Sequence, residues 1–200
     1  RVGMPVYDVT QLLNTTGDVG LAADYVQKAA GASVLSEYVL LECLPRQIAD
    51  AHISGRIHIR DLDSWPLKPN EVQHDLRYFL KNGLVGFKPP QSFDAALGMI
   101  ESIYRLGTAE ISGEQGVDFF NVFLSPYVED TPEDAIRESL ALFLSSLRQD
   151  FPATANQPGL SLGVEYVVPE FIRGAEAIGP GGRIIGVYAD YHEEASIILD

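Results

Sequence analysis

Hydrophobic residues in this chain follow two spacings in turn, one typical of helices and one typical of strands. The helical spacing runs from Phe93 to Tyr104 and again from Ile136 to Phe151. Strict alternation, which is typical of a half-buried strand, runs from Ile57 to Leu62 and from Leu160 to Val168. Helices that alternate with short strands predict an α/β fold. The pattern alone does not determine which strands pair.

Capping residues predict where several of the elements begin and end. A helix is expected over Val34–Leu44, and Pro45 suits the first position of a second helix that ends near Gly55. A third helix is expected to be capped by Asn70 and to end before Gly83, and a fourth to be capped by Ser92. A further helix is expected to begin at Thr131 and to bury Ile136, Leu140, Phe143, Leu144, Leu147 and Phe151. A glycine-rich turn at 179–182 should lead into a strand, and residues 189–200 should be helical.

Acidic residues outnumber basic ones by 28 to 14, which gives a net charge of −14. Such a surface repels phosphate backbones, so nucleic acid is not expected as the main partner. No apolar run is long enough for a membrane span, and the first residues lack the apolar core of a secretory signal, so a cytoplasmic location is expected. The excess of acids is compatible both with a high-salt cytoplasm and with an ordinary acidic protein.

Cys43 is the only cysteine in the chain. It excludes an internal disulfide and a cysteine-based zinc site within this sequence. Because Cys43 lies among apolar residues in "YVLLECLPRQ", we expect a buried structural thiol.

Polar side chains concentrate between Gly55 and Leu84. His58 and His74 lie there with Asp61, Asp63 and Asp75. Histidines and carboxylates of this kind build metal or acid–base sites. They are equally the residues of hydrogen-bonded structural clusters, and spacing alone favours that second interpretation.

Two glycine-containing segments are candidates for contact with a ligand. "GPGG" at 179–182 could surround a phosphate with backbone N–H groups, but it lacks the lysine and the following Ser or Thr of a P-loop, so a turn is the favoured interpretation. "ISGEQG" at 111–116 reads as a flexible polar loop in which Gly113 and Gly116 would allow close approach of the backbone.

The order of several longer motifs carries more information than any one of them. The chain contains, in this order, "VGMPVYDV", "EYVLLECLPRQIADAHISGRIHIRDLD", "PNEVQHDLRYFLKNGL", "SGEQGVDFFNVFLSPYV", "VEYVVPEF" and "GPGGRIIGVYADYHEE". Together they resemble the anaerobic (class III) ribonucleoside-triphosphate reductases, particularly archaeal ones, which are glycyl radical enzymes.

The resemblance implies a fold and an activity. The fold would be the first half of a ten-stranded α/β barrel of the glycyl radical enzyme and ribonucleotide reductase type, over residues 1–200. No ATP-binding regulatory domain and no radical or zinc domain is expected in this chain. The activity implied is radical reduction of ribonucleoside triphosphates to deoxyribonucleotides. Formate or a thiol would be the reductant.

Cofactors and partners follow from the same resemblance. The family uses a glycyl radical, a C-terminal four-cysteine zinc site and the effector nucleotides ATP and dNTP. A homodimer, the other half of the barrel and a radical-activating enzyme are the implied partners. The helix from Ser92 to Gly107 is the candidate effector or dimer surface.

The site residues depart from the family pattern at one decisive position. The family pattern reads approximately Pro-Asn-Cys where this chain has "PNE", so Glu71 stands in the place of the barrel-wall cysteine, and Arg60 replaces the second histidine of "HIHDLD". A carboxylate cannot donate a hydrogen atom or form a disulfide radical, although it can act as a general base for a ribose hydroxyl. The residues expected to bind substrate are His58, Asp61, Asp63, Asn70, His74, Ser112, Gly113 and Gln115.

Two functions remain open from the sequence. The first is an enzyme whose remaining redox residues lie outside these 200 residues, so that the isolated chain is inactive. The second is a non-catalytic nucleotide-binding or interaction homologue of the family, which Glu71 favours.

Overall fold

The computed structural model describes residues 19–64, 67–108, 110–149 and 159–199. The motif at residues 2–9 and the predicted core residue Phe151 lie outside these ranges. The chain forms two compact units, Arg1–Pro69 and Asn70–Asp200.

The first unit is helical where it is described. Helix α1 spans Val19–Tyr38, a π-helical turn follows over Val39–Cys43, and helix α2 spans Arg46–Ile53. The carbonyl of Pro45 accepts the first amide bonds of α2, which confirms the predicted start of this helix. A small core contains Val39, Leu40, Ala49 and Leu62, with Leu44 and Ile59 packed against it.

Two expectations for the first unit are wrong. Residues 57–62 do not form a strand, because the amides of Arg56 and Ile57 bond back to the carbonyl of Ala51 and Asp61 adopts a left-handed φ of 52°. These bonds turn the chain against the end of α2 instead of leaving it extended. Cys43 is exposed, because Val39 and Leu40 occupy the buried positions of the π-helical turn.

The second unit contains a parallel three-stranded sheet in the order β1–β2–β3. Strand β1 spans Glu71–His74, β2 spans Glu114–Val117 and β3 spans Gly159–Leu162. Helices α3 (Leu76–Asn82) and α4 (Phe93–Thr108) connect β1 to β2, and helices α5 (Phe120–Leu124) and α6 (Glu133–Gln149) connect β2 to β3. Parallel strands joined through helices are the arrangement expected of an α/β fold.

A short hairpin and two helices complete this unit. Helix α7 spans Glu170–Arg173, antiparallel strands β4 and β5 span Glu176–Gly179 and Arg183–Val187, and helix α8 spans His192–Ile197. Gly181 and Gly182 make the turn between the strands with φ values of 75° and 73°, as the glycine-rich motif predicted. The N–H of Gly181 donates to the carbonyl of Pro90 at 2.7 Å, which favours the turn over a phosphate loop.

The main core lies in the second unit and follows the predicted helical spacing closely. The six residues that carry the helical spacing on α4 are all buried: Phe93, Ala96, Leu97, Ile100, Ile103 and Tyr104. The amide of Ala95 donates to Oγ of the predicted cap Ser92 at 3.2 Å. Helix α6 buries Ile136 and Phe143, whereas Leu144 is 46% exposed.

Three boundaries in the second unit differ from the sequence expectations. The helix predicted to begin at Asn70 begins after Asp75, because residues 71–74 pair with β2 and the carboxylate of Asp75 accepts the amide of Arg77 at 3.1 Å. The segment "SGEQG" is not wholly a loop, because its last three residues form part of β2. The strand predicted over 160–168 ends at Leu162.

A single buried amide explains the early end of β3. The Nδ2 of Asn121 donates to the carbonyl of Glu165 at 2.8 Å and to that of Ala195 at 2.9 Å, and its Oδ1 accepts the N–H of Glu165 at 2.9 Å. Asn121 therefore supplies the bonds that a neighbouring strand would have given Glu165. The chain leaves the sheet here, and Tyr166 is 89% exposed.

Candidate active site

The parallel sheet has one polar face and one face packed on the core. Successive strand residues point to opposite faces, and residues in register share a face. One face consists of Glu71, Gln73, Glu114, Gly116, Gly159 and Ser161. The other consists of Val72, His74, Gln115, Val117, Leu160 and Leu162.

The polar face places two carboxylates side by side. Glu71 and Glu114 are register partners at the start of β1 and β2, and both are exposed. Nε2 of Gln73 donates to Oε1 of Glu71 at 3.4 Å. Gly116 makes room for this amide, because a Cβ at that position would lie 1.9 Å from Oε1 of Gln73. The missing side chain therefore allows Gln73 to reach Glu71.

The amino end of the same strands joins Asn70 to the segment before β2. The N–H of Glu114 donates to the carbonyl of Asn70 at 2.9 Å. A Cβ on Gly113 would lie 2.2 Å from that carbonyl oxygen, so only glycine fits there without a shift of the backbone. Asn70, Glu71, Ser112 and Gly113 thus lie at neighbouring strand starts.

His74 and Gln115 meet on the opposite, packed face. Nε2 of His74 lies 2.9 Å from Oε1 of Gln115, and Nε2 of Gln115 donates to the carbonyl of Tyr104 at 3.0 Å. Gln115 is fully buried. A glutamine held between a histidine and a helix carbonyl fixes β2 against α4, so this pair supports the polar face from behind.

A cavity of about 270 Å³ opens at the carboxyl ends of β1 and β2. Gln73 connects it to the polar face, and the predicted site residue His74 also lines it. Asp75, Arg77 and Asp118 supply charge. Three phenylalanines supply apolar walls: Phe119, Phe123 and Phe171. Ligands of open α/β sheets bind outside the carboxyl ends of parallel strands, which makes this position a candidate for binding.

The walls of this cavity are held by specific contacts. Arg77 bonds to Asp75 at 3.3 and 3.4 Å and lies 5.2 Å from the centre of the Phe123 ring. Phe119 has a left-handed φ of 55°, which is costly for a bulky residue. Its ring lies edge-to-face with the Phe171 ring, with 5.7 Å between the ring centres. Phe119 thus lines the cavity from a position with a strained backbone.

Two buried tyrosines lie behind the cavity. Burial raises the pKa of Tyr188 to about 12, while the Ile178 backbone and the Arg77 charge partly oppose this shift. The Tyr188 hydroxyl makes no hydrogen bond with the part of the chain that the structure describes, although the Ile178 backbone is near enough to affect its pKa. The Tyr127 hydroxyl donates to the carbonyl of Gly179 at 3.0 Å, and burial raises its pKa as well.

The sequence-predicted site residues divide between the two units. His58, Asp61 and Asp63 belong to the first unit. The ring centres of His58 and His52 lie 5.7 Å apart there. Within the second unit, Asn70, Glu71, Ser112 and Gly113 are brought together at the strand starts. His74 and Gln115 are bonded to each other on the opposite face of the sheet.

Sequence reasoning missed four polar residues around these strands: Gln73, Glu114, Arg77 and Asp118. Gln73 shares a face with Glu71, which the alternation of a strand over 71–74 would have indicated. Glu114 joins that face through the register of β2 with β1, which no local pattern gives. Asp118 follows directly after β2, where parallel strands place binding side chains. Among the described residues, no group of three or more His, Cys, Asp or Glu side chains is arranged to hold a metal ion.

A family model described as anaerobic ribonucleoside-triphosphate reductase matches residues 21–200. The chain belongs to this family. The anaerobic ribonucleoside-triphosphate reductase of Enterobacteria phage T4 is 32% identical over 126 residues, which cover 60% of this chain and 21% of the phage protein. The Haemophilus influenzae reductase is 27% identical over 136 residues, which cover 64% of this chain and 19% of that protein. The chain therefore spans about a fifth of the length of these relatives.

Solved structures of the family share the fold. The anaerobic ribonucleotide reductase from Thermotoga maritima in complex with dATP and CTP matches 96% of this chain and 38% of its own chain, with a TM-score of 0.63 and 18% identity. The same enzyme with MES in the active site matches 96% of this chain and 36% of its own, with a TM-score of 0.67 and 15% identity. The predicted fold class, part of the α/β barrel of anaerobic reductases, is confirmed.

No described helix is long and apolar enough to cross a membrane.

Proposed function

We propose that this protein reduces ribonucleoside triphosphates to deoxyribonucleotides as an anaerobic reductase. The observation that carries the proposal is the open polar sheet face around Glu71, in a chain that belongs to the reductase family. The exposed carboxylates and the Gln73 amide are groups that hydrogen-bond to sugar hydroxyls. The Thermotoga maritima enzyme was solved with dATP and CTP, which suggests a ribonucleotide as substrate and a deoxyribonucleotide as effector here.

Glu71 is proposed to accept the proton of a ribose hydroxyl. Its carboxylate is exposed, and Gln73 orients one of its oxygens. A general base must lie within hydrogen-bonding reach of the proton that it removes, which an open face beside the sugar would allow. A carboxylate cannot replace the hydrogen-atom donation of a thiol, so a thiol from another part of the protein must perform that step.

The remaining predicted site residues take supporting roles in this proposal. Asn70, Ser112 and Gly113 border the same face and would contact substrate. His74 and Gln115 hold β1, β2 and α4 in place. His58, Asp61 and Asp63, which belong to the first unit, stay predicted substrate-binding residues.

The family's wider machinery belongs to the proposal. A glycyl radical, a zinc site, a radical-activating enzyme and the second half of the barrel would come from outside this chain. Helix α4 is proposed as a dimer surface. The groove between α4 and α6 contains Asp94, Glu101 and Glu138, so it repels phosphates and suits a protein contact better than an effector triphosphate.

Nucleotide binding tests the role of Glu71. We expect Glu71→Gln to weaken CTP binding roughly five- to tenfold, because one charged hydrogen-bond acceptor is lost. Calorimetry measures this affinity on the natural full-length protein. Glu176→Gln, an exposed change on β4, should leave the affinity unchanged. Equal affinities for both variants would argue against the polar face as the site.

A non-catalytic homologue is the second candidate, because Glu71 occupies the family's cysteine position. Reductase turnover of Glu71→Cys and of the natural protein separates the two, measured with the activating enzyme and formate. Turnover by the natural protein supports the enzyme. If only the Glu71→Cys variant turns over, the missing thiol at position 71 is by itself the reason that the natural protein is inactive. Inactivity of both, with an intact glycyl radical detected by electron paramagnetic resonance, supports the non-catalytic homologue.

A further inference from the structure

The side-chain amide of Gln115 is fully buried, and its neighbours fix its orientation. Its Nε2 donates to the carbonyl oxygen of Tyr104 at 3.0 Å and lies 3.5 Å from Oγ1 of Thr108. Because a carbonyl oxygen only accepts hydrogen bonds, the amide nitrogen of Gln115 must lie on this side. Gly107 leaves room for the amide, since a Cβ there would overlap Oε1 of Gln115. The oxygen of Gln115 is therefore the atom that faces His74.

This orientation determines which ring nitrogen of His74 carries a proton. Oε1 of Gln115 lies 2.9 Å from Nε2 of His74 and can only accept, so Nε2 must donate. A neutral imidazole has one N–H, so its other nitrogen, Nδ1, keeps a free lone pair. We infer that Gln115 holds His74 in the Nε2–H form, and that Nδ1 accepts a hydrogen bond from a hydroxyl group of the substrate sugar. The second half of this inference rests on the proposed function.

Nδ1 of His74 is placed to meet a ligand. It makes no hydrogen bond within the described residues, and the ring lines the cavity at the carboxyl ends of β1 and β2. A charged imidazolium would need an acceptor for a second N–H. The nearby carboxylates do not supply one, because neither Asp75 nor Asp118 bonds to His74 in the part of the chain that the structure describes. The neutral ring, with Nδ1 left for a ligand, is the form that satisfies its surroundings.

The other groups of the cavity favour a ligand that donates hydrogen bonds. Arg77 is bonded to Asp75 at 3.3 and 3.4 Å, so its charge is largely neutralised. The Asp118 carboxylate and Nδ1 of His74 are then the acceptors that a ligand meets. Gln73 lines this cavity and also donates to Glu71, so it links the cavity to the polar face. A sugar beside Glu71 would therefore have His74 as a further acceptor for its hydroxyl groups.

The inference gives different roles to two residues that the sequence predicted to bind substrate. His74 would contact the sugar. Gln115 is fully buried, so it would act only through His74, as a positioning residue. A histidine tautomer is set in this way by the hydrogen bond that its other nitrogen makes.

Nuclear magnetic resonance of the natural full-length protein with isotope-labelled histidine tests the tautomer. At pH 8, Nε2 of His74 should show the chemical shift of a protonated nitrogen and Nδ1 that of an unprotonated one. The His74→Gln variant identifies these signals, because it removes them. Gln115→Met should leave a mixture of both tautomers, whereas Gln91→Met, at an exposed glutamine, is the matched control. A protonated Nδ1 in the natural protein would overturn the inference without any variant.

Calorimetry with CTP and with 2′,3′-dideoxy-CTP, which has no ribose hydroxyl, tests the contact with the sugar. His74→Gln keeps an amide nitrogen near the place of Nε2 but has no acceptor at the place of Nδ1. It should weaken CTP binding roughly three- to tenfold and leave dideoxy-CTP binding unchanged, because one hydrogen bond is lost. His74→Asn, whose amide oxygen lies near the place of Nδ1, should retain more of the CTP affinity. His192→Gln, at an exposed histidine on α8, is the matched control.

The outcomes separate this inference from the proposed function. Equal losses for the two nucleotides in His74→Gln, or no loss for CTP, would mean that His74 only holds the strands, and the proposed function would stand. A CTP loss as large in His74→Asn as in His74→Gln, with both variants folded by urea denaturation, would also overturn Nδ1 as the acceptor. If the natural protein binds neither nucleotide, the sugar contact and the proposed function both fail.

Discussion

Tyr127 and Tyr188 are both buried, yet only Tyr127 has a hydrogen-bond partner for its hydroxyl within the described residues. Burying a hydroxyl without a partner costs free energy, whereas a satisfied one contributes about 1 kcal/mol. We therefore expect Tyr127→Phe to lower the free energy of unfolding by about 1 kcal/mol. Tyr188→Phe should leave it unchanged or raise it. Urea denaturation at pH 8 measures both, and a clear loss in Tyr188→Phe would show that its hydroxyl is bonded.

The same tyrosines predict how stability depends on alkaline pH. An unfolded tyrosine loses its proton near pH 10, whereas burial keeps Tyr188 protonated until its pKa of about 12. Between these values the native state binds more protons than the unfolded state, so stability falls as pH rises. Tyr188 alone should cost roughly 2–3 kcal/mol across this window. Denaturation midpoints at pH 8, 10 and 11 test this, and Tyr188→Phe should flatten the decline.

At the scale of the elements, the sequence predicted the long helices better than the short strands. Helix α4 has a complete apolar stripe and a serine cap, so its residues determine their own burial. Strand β1 has only four residues, and its extended form depends on pairing with β2, which is distant in sequence. Both Asn70 and Asp75 are residue types that cap helices. Because residues 71–74 pair with β2, Asp75 is the one that caps α3. The polar face of the candidate site depends on the same pairing, so Gln73 and Glu114 were not predicted.

Glycine substitutions test how tightly β2 packs on β1. Gly113→Ala would bring a Cβ to 2.2 Å from the backbone oxygen of Asn70, so we expect a loss of about 2 kcal/mol in unfolding free energy. In Gly116→Ala the new Cβ meets the end of the Gln73 side chain, which can rotate away. The loss in unfolding free energy should therefore stay below about 1 kcal/mol, and Gln73 should lose its hydrogen bond to Glu71. Gly98→Ala on α4 has open space and should stabilise by about 0.5–1 kcal/mol. Thermal unfolding of the three variants gives the order, and similar losses for Gly113→Ala and Gly116→Ala would contradict it.

At the scale of the whole molecule, Asn121 joins three segments of the second unit. It links α5 to the chain after β3 and to α8 through three hydrogen bonds to backbone groups. Its isolated position in the apolar segment "DFFNVFL" gave no sign of this role in the sequence, since its partners are 44 and 74 residues away. Asn121→Ala should therefore lower the free energy of unfolding by about 3 kcal/mol, because buried backbone groups lose their partner. Asn82→Ala is the matched control, because Asn82 is exposed and its side chain donates to the carbonyl of Tyr78 in the same helix.

The distribution of the core predicts that the second unit folds without the first. Among the residues whose burial is described, the 24 of the main buried cluster lie between Leu76 and Ile198, whereas the cluster of the first unit contains four. A fragment of residues 70–200 keeps the parallel sheet, the hairpin and the Asn121 bonds, so it should unfold in one cooperative transition. A fragment of residues 19–69 has too small a core to hold its helices and should show little stable structure. Circular dichroism during urea titration measures both fragments. A gradual, non-cooperative change in residues 70–200 would mean that the sheet depends on contacts from outside the unit.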